Sequence, residues 1–239
     1  MTYVVGDIHG KLDYVKEIIN LAGEESILWI GDWMDSFDRS VNDQMSSLEI
    51  ALERDQDIFI LGNHDNHYIT QIGIGSGYKD DTQYKVDRLL TNNLNRFRIA
   101  HYDGVHLFSH GGITKTFINR FVEKHNNIEF SVKTLNESFF DTSTWNKSNP
   151  LFWISGHRGG LDPCSGPLWC DTRELQEDIS TNGSYNNAIQ IVGHSAHACS
   201  KTKSIIGSDK GYIYCVDVLD FAKQILKINI DNSLEIVNF

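Results

Sequence analysis

The chain has 239 residues, 40% hydrophobic and 22% charged, the make-up of a globular protein long enough to bury a core without disulfides. Its 21 basic residues against 32 acidic ones give a net charge of −11, which disfavours general nucleic-acid binding because the phosphate backbone is repelled. No apolar stretch is long enough to span a bilayer, the start has no apolar secretion segment and the four cysteines form no CxxC pair, so a cytoplasmic protein with reduced thiols and no membrane partner is expected.

Tyr3–Val5 is a short β-branched and aromatic run that stops at Gly6-Asp7, the pattern of a buried strand entering a loop. Leu12, Val15, Ile18, Ile19 and Ala22 then recur at helical spacing, and Gly23 closes the helix. Ile27–Ile30 is a second strand ending at Gly-Asp, Leu48, Ala51 and Leu52 belong to a second helix, and Ile58–Leu61 is a third strand ending at Gly62-Asn63. This alternation predicts a parallel sheet flanked by helices. A glycine-rich turn over 73–77 leads into Lys79–Asp87, read as a mobile flap before the next helix. Further strands are expected at Val105–Ser109, Ala188–Val192, Gly211–Val218 and Gln224–Ile230, with connections more like hairpins. Residues 136–187, rich in Gly, Asn, Ser, Asp and Trp, read as long loops or small helices over one end of the sheet. Without internal repeats or linkers, the chain is expected to form one domain over 1–239.

Metal-ligand residue types follow the strands with unusual regularity. The first delivers Asp7 and His9, the second Asp32 and Asp35, the third Asn63 and His64, and the two later strands deliver His110 and His194. Carboxylates, imidazoles and an amide oxygen suit borderline divalent ions such as Mn²⁺, Fe²⁺ or Zn²⁺, and the lack of thiolates argues against structural zinc. Strand ends of such a sheet converge on the crevice where ligands bind, and Gly6, Gly31, Gly62 and Gly193 allow sharp turns and close approach. A single Gly-Asp pair is an ordinary turn. Five such ends in order, each with a ligand at a matching offset, point to a metal centre.

Together GDIHG (6–10), GDWMD (31–35), GNHD (62–65), SHGG (109–112) and VGHS (192–195) resemble the calcineurin-like metallophosphoesterases, most of all the phosphoprotein phosphatase branch with its bacterial and phage-borne members. The resemblance implies an α/β fold, a four-layer α/β/β/α sandwich with helices outside two packed sheets. It implies two divalent metal ions, manganese first, with iron or zinc possible. Asp7, His9 and Asp32 would hold one ion; Asp32, Asn63, His110 and His194 would hold the other, so that Asp32 bridges them. Such ions lower the pKa of water from about 15.7 towards about 7, supplying a nucleophile that attacks phosphorus in line. His64 resembles the general acid that protonates the leaving alkoxide, and Asp35 its orienting partner.

The departures bear on substrate binding. The family usually follows the second motif with Arg-Gly, whose arginine grips phosphate; here Asp35 is followed by Ser36-Phe37-Asp38-Arg39, and Arg39 is either that grip from a longer loop or a solvated side chain. Asp65 stands where the family often has Glu, and His197 falls one residue beyond a further ligand position known in relatives, so it is left out of the metal set. The stretch 152–171, with LWCD at 168–171, resembles a substrate-side loop of this family. Arg158 and Arg173 are candidate phosphate clamps alongside Asn63, or surface ion pairs; Trp153 and Trp169 read as loop anchors before substrate contacts. The expected activity is hydrolysis of phosphoserine or phosphothreonine in proteins. Diadenosine polyphosphate hydrolysis is the alternative, so the partner is a phosphorylated protein or a nucleotide. A nucleic-acid phosphodiesterase and a non-catalytic scaffold stand further off, the last because the full set of ligands and the acid is present.

Overall fold

The computed structural model describes residues 1–121, 127–208 and 211–239. Strands β1 (Thr2–Val5), β2 (Ser26–Trp29), β3 (Ile58–Ile60) and β4 (Phe97–Arg98) run parallel in one sheet, joined through helices α1 (Leu12–Ala22), α2 (Val41–Leu52), α3 (Asn63–Thr70) and α4 (Gln83–Asn92). A second sheet contains β5 (Ala100–Tyr102), β6 (His106–Ser109), β7 (Ile189–Val192), β8 (Ile206–Gly207) and β9 (Ile213–Cys215), with β6, β7 and β9 parallel. Helices α5 (Lys115–Phe121), α6 (Ile128–Phe140) and α7 (Thr172–Asn182) lie between β6 and β7, and the short α8 (Ala196–Ser200) follows β7. The antiparallel hairpin β10 (Gln224–Ile228) and β11 (Leu234–Asn238) returns to the first sheet, β10 beside β1, giving the order β11-β10-β1-β2-β3-β4.

The period-two alternation of the strands divides the core. Tyr3, Val5, Ile27, Trp29 and Phe59 face one way and pack with Val15, Ile18, Leu48 and Ala51 of α1 and α2. Val4, Leu28, Ile30 and Ile60 face the other way and pack with Phe108, Ile191 and Ile213 of the second sheet. Helix, sheet and sheet are thereby stacked as the expected sandwich. The sheets approach so closely at their strand ends that a Cβ on Gly6 would lie 2.1 Å from the Val216 carbonyl oxygen, so only glycine fits there.

The strand predictions hold to within a few residues, the largest trimming being Gly211–Val218 to β9. Four readings are corrected. The later strands are not joined chiefly as hairpins, since β6, β7 and β9 run parallel with α5, α6 and α7 between the first two. The segment 79–87 is not all flap, because Val86 and Leu90 are buried four residues apart and hold α4 from Gln83 onwards. Residues 136–187 include the last turn of the 13-residue α6 and all of the 11-residue α7, the latter capped by the Asp171 side chain. The edge strand β11 went unforeseen, since its side chains are half-buried or exposed and the chain there is only five residues long. All four cysteines are free and buried, Cys164 and Cys170 included. Among the described residues no helix is long and apolar enough to cross a membrane.

Asp57, just before β3, ties this half of the sandwich together. Its carboxylate accepts from the Ile27 N–H, the Trp29 Nε1–H and Arg54 Nε, each at 3.0 Å. Arg54 in turn donates to the carbonyls of Gly23 and Glu25 in the α1–β2 turn, at 2.8 and 2.7 Å. Removing one partner of a buried, charged network typically costs about 3–5 kcal/mol. Asp57→Ala should therefore lower the urea midpoint by a corresponding amount with an unchanged m value.

Candidate active site

Six parallel strands, three from each sheet, end at one place. β1 delivers Asp7 and His9, β2 Asp32 and Asp35, β3 Asn63 and His64, β6 His110, β7 His194, and β9 Asp217. Asp7, His9, Asp32, Asn63, His64, Arg158, Trp169, His194 and Asp217 all line one cleft of about 230 Å³. A larger cavity of about 610 Å³ lies over Glu174 and Asp178, but those carboxylates already accept from Ser155, Ser165, Lys115 and Thr116. Buried polar atoms without a partner, Asn63 Nδ2 and His194 Nε2 among them, belong instead to residues of the smaller cleft.

The loops are held in strained backbone. His9, Asp32, Asp35 and His194 all have positive φ, between 42° and 64°, which costs a non-glycine residue roughly 1–2 kcal/mol. Cross-ties hold them there. The Ile8 and His9 N–H groups donate to the Asp32 carbonyl at 3.1 and 2.8 Å, and the His194 N–H donates to both Asp7 oxygens at 3.1 and 3.2 Å. Asp65 braces the second and third loops by accepting from the N–H groups of Trp33, Met34 and Gly62, which is why the Glu-to-Asp difference still builds the loop. Burial and the nearby Asp32 charge raise its pKa to about 7. Gly62 admits no side chain, because its Cβ would lie 2.0 Å from Asp32 Oδ1.

Two groups of ligand atoms share Asp32: Asp7, His9 and Asp32, and Asp32, His110 and His194. His110 Nε2 lies 3.1 Å from Asp32 Oδ2 and 2.9 Å from Asn63 Oδ1, while its Nδ1 faces the Ile30 carbonyl at 2.8 Å. His9 Nδ1 faces the Met34 carbonyl at 2.6 Å. In each ring one nitrogen is thus turned by a backbone carbonyl so that the other faces Asp32, the arrangement of metal-binding histidines. Burial alone would push His110 down, yet the Asp32 and Asp7 carboxylates raise its pKa to about 10. Burial and the neighbouring His110 push His194 well down, and its buried Nε2 has no hydrogen-bond partner. Burial likewise raises Asp7 and Asp217, with the Asp32 charge adding to it at Asp7 and the Asp7 charge at Asp217. Buried carboxylates that repel one another beside a neutral imidazole with an orphaned nitrogen fit a divalent cation, which would meet both demands.

Beside this cluster lies a carboxylate shared by two imidazoles and a phenol. Asp35 Oδ2 is 2.8 Å from His64 Nδ1 and 2.7 Å from His67 Nε2, and Asp35 Oδ1 accepts from the Tyr68 hydroxyl at 2.6 Å. These donors outweigh burial and hold the Asp35 pKa below its ordinary value; Asp32 and Asp35 likewise outweigh burial at His64 and raise it. His67 Nδ1 accepts the Gly75 N–H at 3.2 Å, so its Nε2 carries the proton and the 73–77 loop is tied to the same carboxylate. His67 and Tyr68 escaped the sequence reading because α3 was not foreseen. At three and four residues past His64 they share its helix face, a spacing that would have found them. Asp217 follows its strand as the other site residues do, but without a preceding glycine.

The arginines part company. Arg158 lines the cleft, with Nε 3.0 Å from Asp171 Oδ2 and its guanidinium donating to the His194 carbonyl and to Ser195 Oγ. Arg173 is 57% exposed and folds back on Asp171 at 2.9 Å, and it does not line the cleft. Arg39 turns toward Asp13 and Asp38, at 3.5 and 3.8 Å, and does not line it either; the longer loop after Asp35 carries it outward. Trp169 lines the cleft against Gly73 and Gly75, whereas Trp153 packs on the core. His197 lies 3.5 Å from Asp171, away from both ligand groups.

The family profile described as calcineurin-like phosphoesterase matches residues 2–197. The chain belongs to that family. No curated protein matches it significantly in sequence. Among solved structures, this phosphoesterase is similar to one described as a cold-active protein tyrosine phosphatase, at 16% identity and a TM-score of 0.64, over 98% of this chain and 78% of that one. It is also similar to the cold-active protein-tyrosine phosphatase of a psychrophilic Shewanella species, at 16% identity and a TM-score of 0.61, over 99% of this chain and 80% of that one. At that identity the likeness establishes the sandwich fold. The family binds divalent metals, and the Asp and His groups of this chain are positioned for such a site.

A cation that binds the folded state alone stabilises it by about 2.7 kcal/mol at one hundred times its Kd. Titrating Mn²⁺ into chelator-treated phosphoesterase should raise its melting temperature, and Asp32→Asn should abolish most of that rise while folding normally in metal-free buffer.

Proposed function

We propose that this phosphoesterase hydrolyses phosphate monoesters on protein side chains, with Asp7, His9, Asp32, Asn63, His110 and His194 holding two divalent metal ions, manganese first. The observation that carries this reading is the Asp35–His64 pair beside the carboxylate–histidine cluster, because a positioned acid protonates the departing alkoxide or phenoxide oxygen of a monoester. Divalent ions at such a cluster supply Lewis acidity to the phosphoryl group and lower the pKa of water.

The chain's own groups do the rest. Arg158, braced by Asp171, offers its guanidinium to the phosphoryl oxygens, and Asn63 Nδ2 is a buried donor with no other partner. Asp35 takes the His64 Nδ1 proton in a hydrogen bond, which fixes the tautomer, favours the charged ring and leaves Nε2 to protonate the leaving oxygen. Arg39 and Arg173 are left out of the phosphate set because their carboxylate partners draw them away from the cleft. The motif resemblance points to phosphoserine and phosphothreonine, whereas the similar solved structures are described as tyrosine phosphatases. All three are monoesters open to the same chemistry.

Manganese-loaded protein should release phosphate from phosphopeptides faster than it cleaves diadenosine tetraphosphate, with both reactions stopped by a chelator. Faster cleavage of the dinucleotide would move the protein to the nucleotide hydrolases. His64→Asn should lower kcat about 10²–10⁴-fold on a phosphopeptide, as loss of a general acid does, while metal content stays unchanged.

A further inference from the structure

Two cavities meet at His64. The metal-binding cleft opens into a second space of about 370 Å³ lined by Lys11, Asp35, Ser36, Phe37 and Asp38, and His9, His64 and Asp220 belong to both. A general acid must stand beside the oxygen it protonates, so the organic part of the substrate lies on the His64 side of the phosphoryl group. The second space adjoins the cleft there, sharing His9, His64 and Asp220 with it.

Its walls are polar except for one side chain. Phe37 is 85% exposed and is the only large apolar residue lining the space. The loop that presents it is braced. Ser36 is buried, its hydroxyl donates to Asp38 Oδ1 at 2.8 Å, and Ser36 Oγ accepts from the Arg39 N–H at 3.1 Å. The Phe37 ring leaves apolar area in water that a packed aromatic group would bury. Across the mouth Lys11 is largely buried and reaches Asp220 Oδ1 at 2.6 Å, which fixes the far wall and compensates the ammonium charge. The space is therefore bounded by an ion pair and offers one apolar ring.

From this we infer that the second space is a leaving-group subsite for an aryl phosphate, in which the phenol ring of phosphotyrosine packs against Phe37. The short side chain of phosphoserine or phosphothreonine neither fills about 370 Å³ nor offers a ring to Phe37. In the reaction the water oxygen bonds to phosphorus, the bond from phosphorus to the phenolic oxygen breaks, and His64 delivers a proton to that oxygen. The products are tyrosine and inorganic phosphate, with the water's proton returned to the medium or to the phosphate. The inference rests on the phosphomonoesterase reading and narrows its substrate.

The test compares two peptides of one sequence, bearing phosphotyrosine or phosphoserine, with the manganese-loaded full chain. The wild-type protein should give the higher kcat/KM on phosphotyrosine. Phe37→Ala should lower the phosphotyrosine-to-phosphoserine ratio by roughly 3- to 10-fold, the loss expected for one aromatic pair, and Phe37→Tyr should restore it. The ring is exposed, so an unchanged melting temperature is expected for both variants. A ratio that favours phosphoserine in the wild type, or one that Phe37→Ala leaves unmoved, would overturn the subsite and leave the phosphomonoesterase intact. Release from neither peptide would overturn the phosphomonoesterase reading and the subsite with it.

Discussion

Everything in the cleft is arranged around the buried carboxylate and backbone of Asp32. Its carbonyl accepts the N–H groups of Ile8 and His9, one side-chain oxygen accepts the His64 N–H at 2.9 Å, and the other lies 3.1 Å from His110. Four loops from two sheets are therefore registered against one residue. Burial of such a group is unfavourable by several kcal/mol unless opposing charge gathers round it. His110 supplies part of that charge, outweighing the burial penalty and holding Asp32 well below its usual range. A divalent cation would supply the remainder, so the fold is stable around its site only to the extent that the site's charges are matched.

The same constraint explains where strain is tolerated. Left-handed backbone at His9, Asp32, Asp35 and His194 aims side chains that ordinary strand-end geometry would send elsewhere. The cross-ties among these loops, and the Asp65 brackets behind them, distribute the cost over many hydrogen bonds. A sandwich suits this purpose because its strands are buried on both faces: Val4 and Val5, or Leu28 and Trp29, feed two different cores and leave the strand little freedom to slip.

Sequence pattern was most informative where it is punctuated. Gly6-Asp7, Gly31-Asp32, Gly62-Asn63 and Gly193-His194 mark strand ends and residue chemistry at once, so the placing of β1, β2, β3 and β7 and the convergence of their residues could be anticipated. It was least informative where function depends on helix phase. His67 and Tyr68 look like ordinary polar residues until α3 turns them onto the face of His64. The arginines failed for another reason. Arg39, Arg158 and Arg173 are chemically equivalent candidates, and only the positions of Asp13 and Asp171 decide which guanidinium is drawn away and which is held at the cleft. Such long-range pairings leave no mark on local composition.

That outward turn of Arg39 has a consequence for how phosphate is held. In the resemblance the arginine after the second motif contributes a phosphate contact from the loop that carries Asp35; here the longer loop spends its position on Phe37 instead. The remaining guanidinium, Arg158, comes from the opposite wall, where Asp171 also caps α7 and pairs with Arg173. In the proposed arrangement, charge recognition and the binding of the organic group thus fall to separate loops, one lining each cavity. A substitution at Phe37 can alter which ester is accepted without disturbing the phosphoryl end, because no hydrogen bond or ion pair links the Phe37 side chain to the Arg158–Asp171 assembly. In the proposed arrangement, separation of this kind would let one fold keep a fixed phosphoryl site while the loop after Asp35 sets what is cleaved.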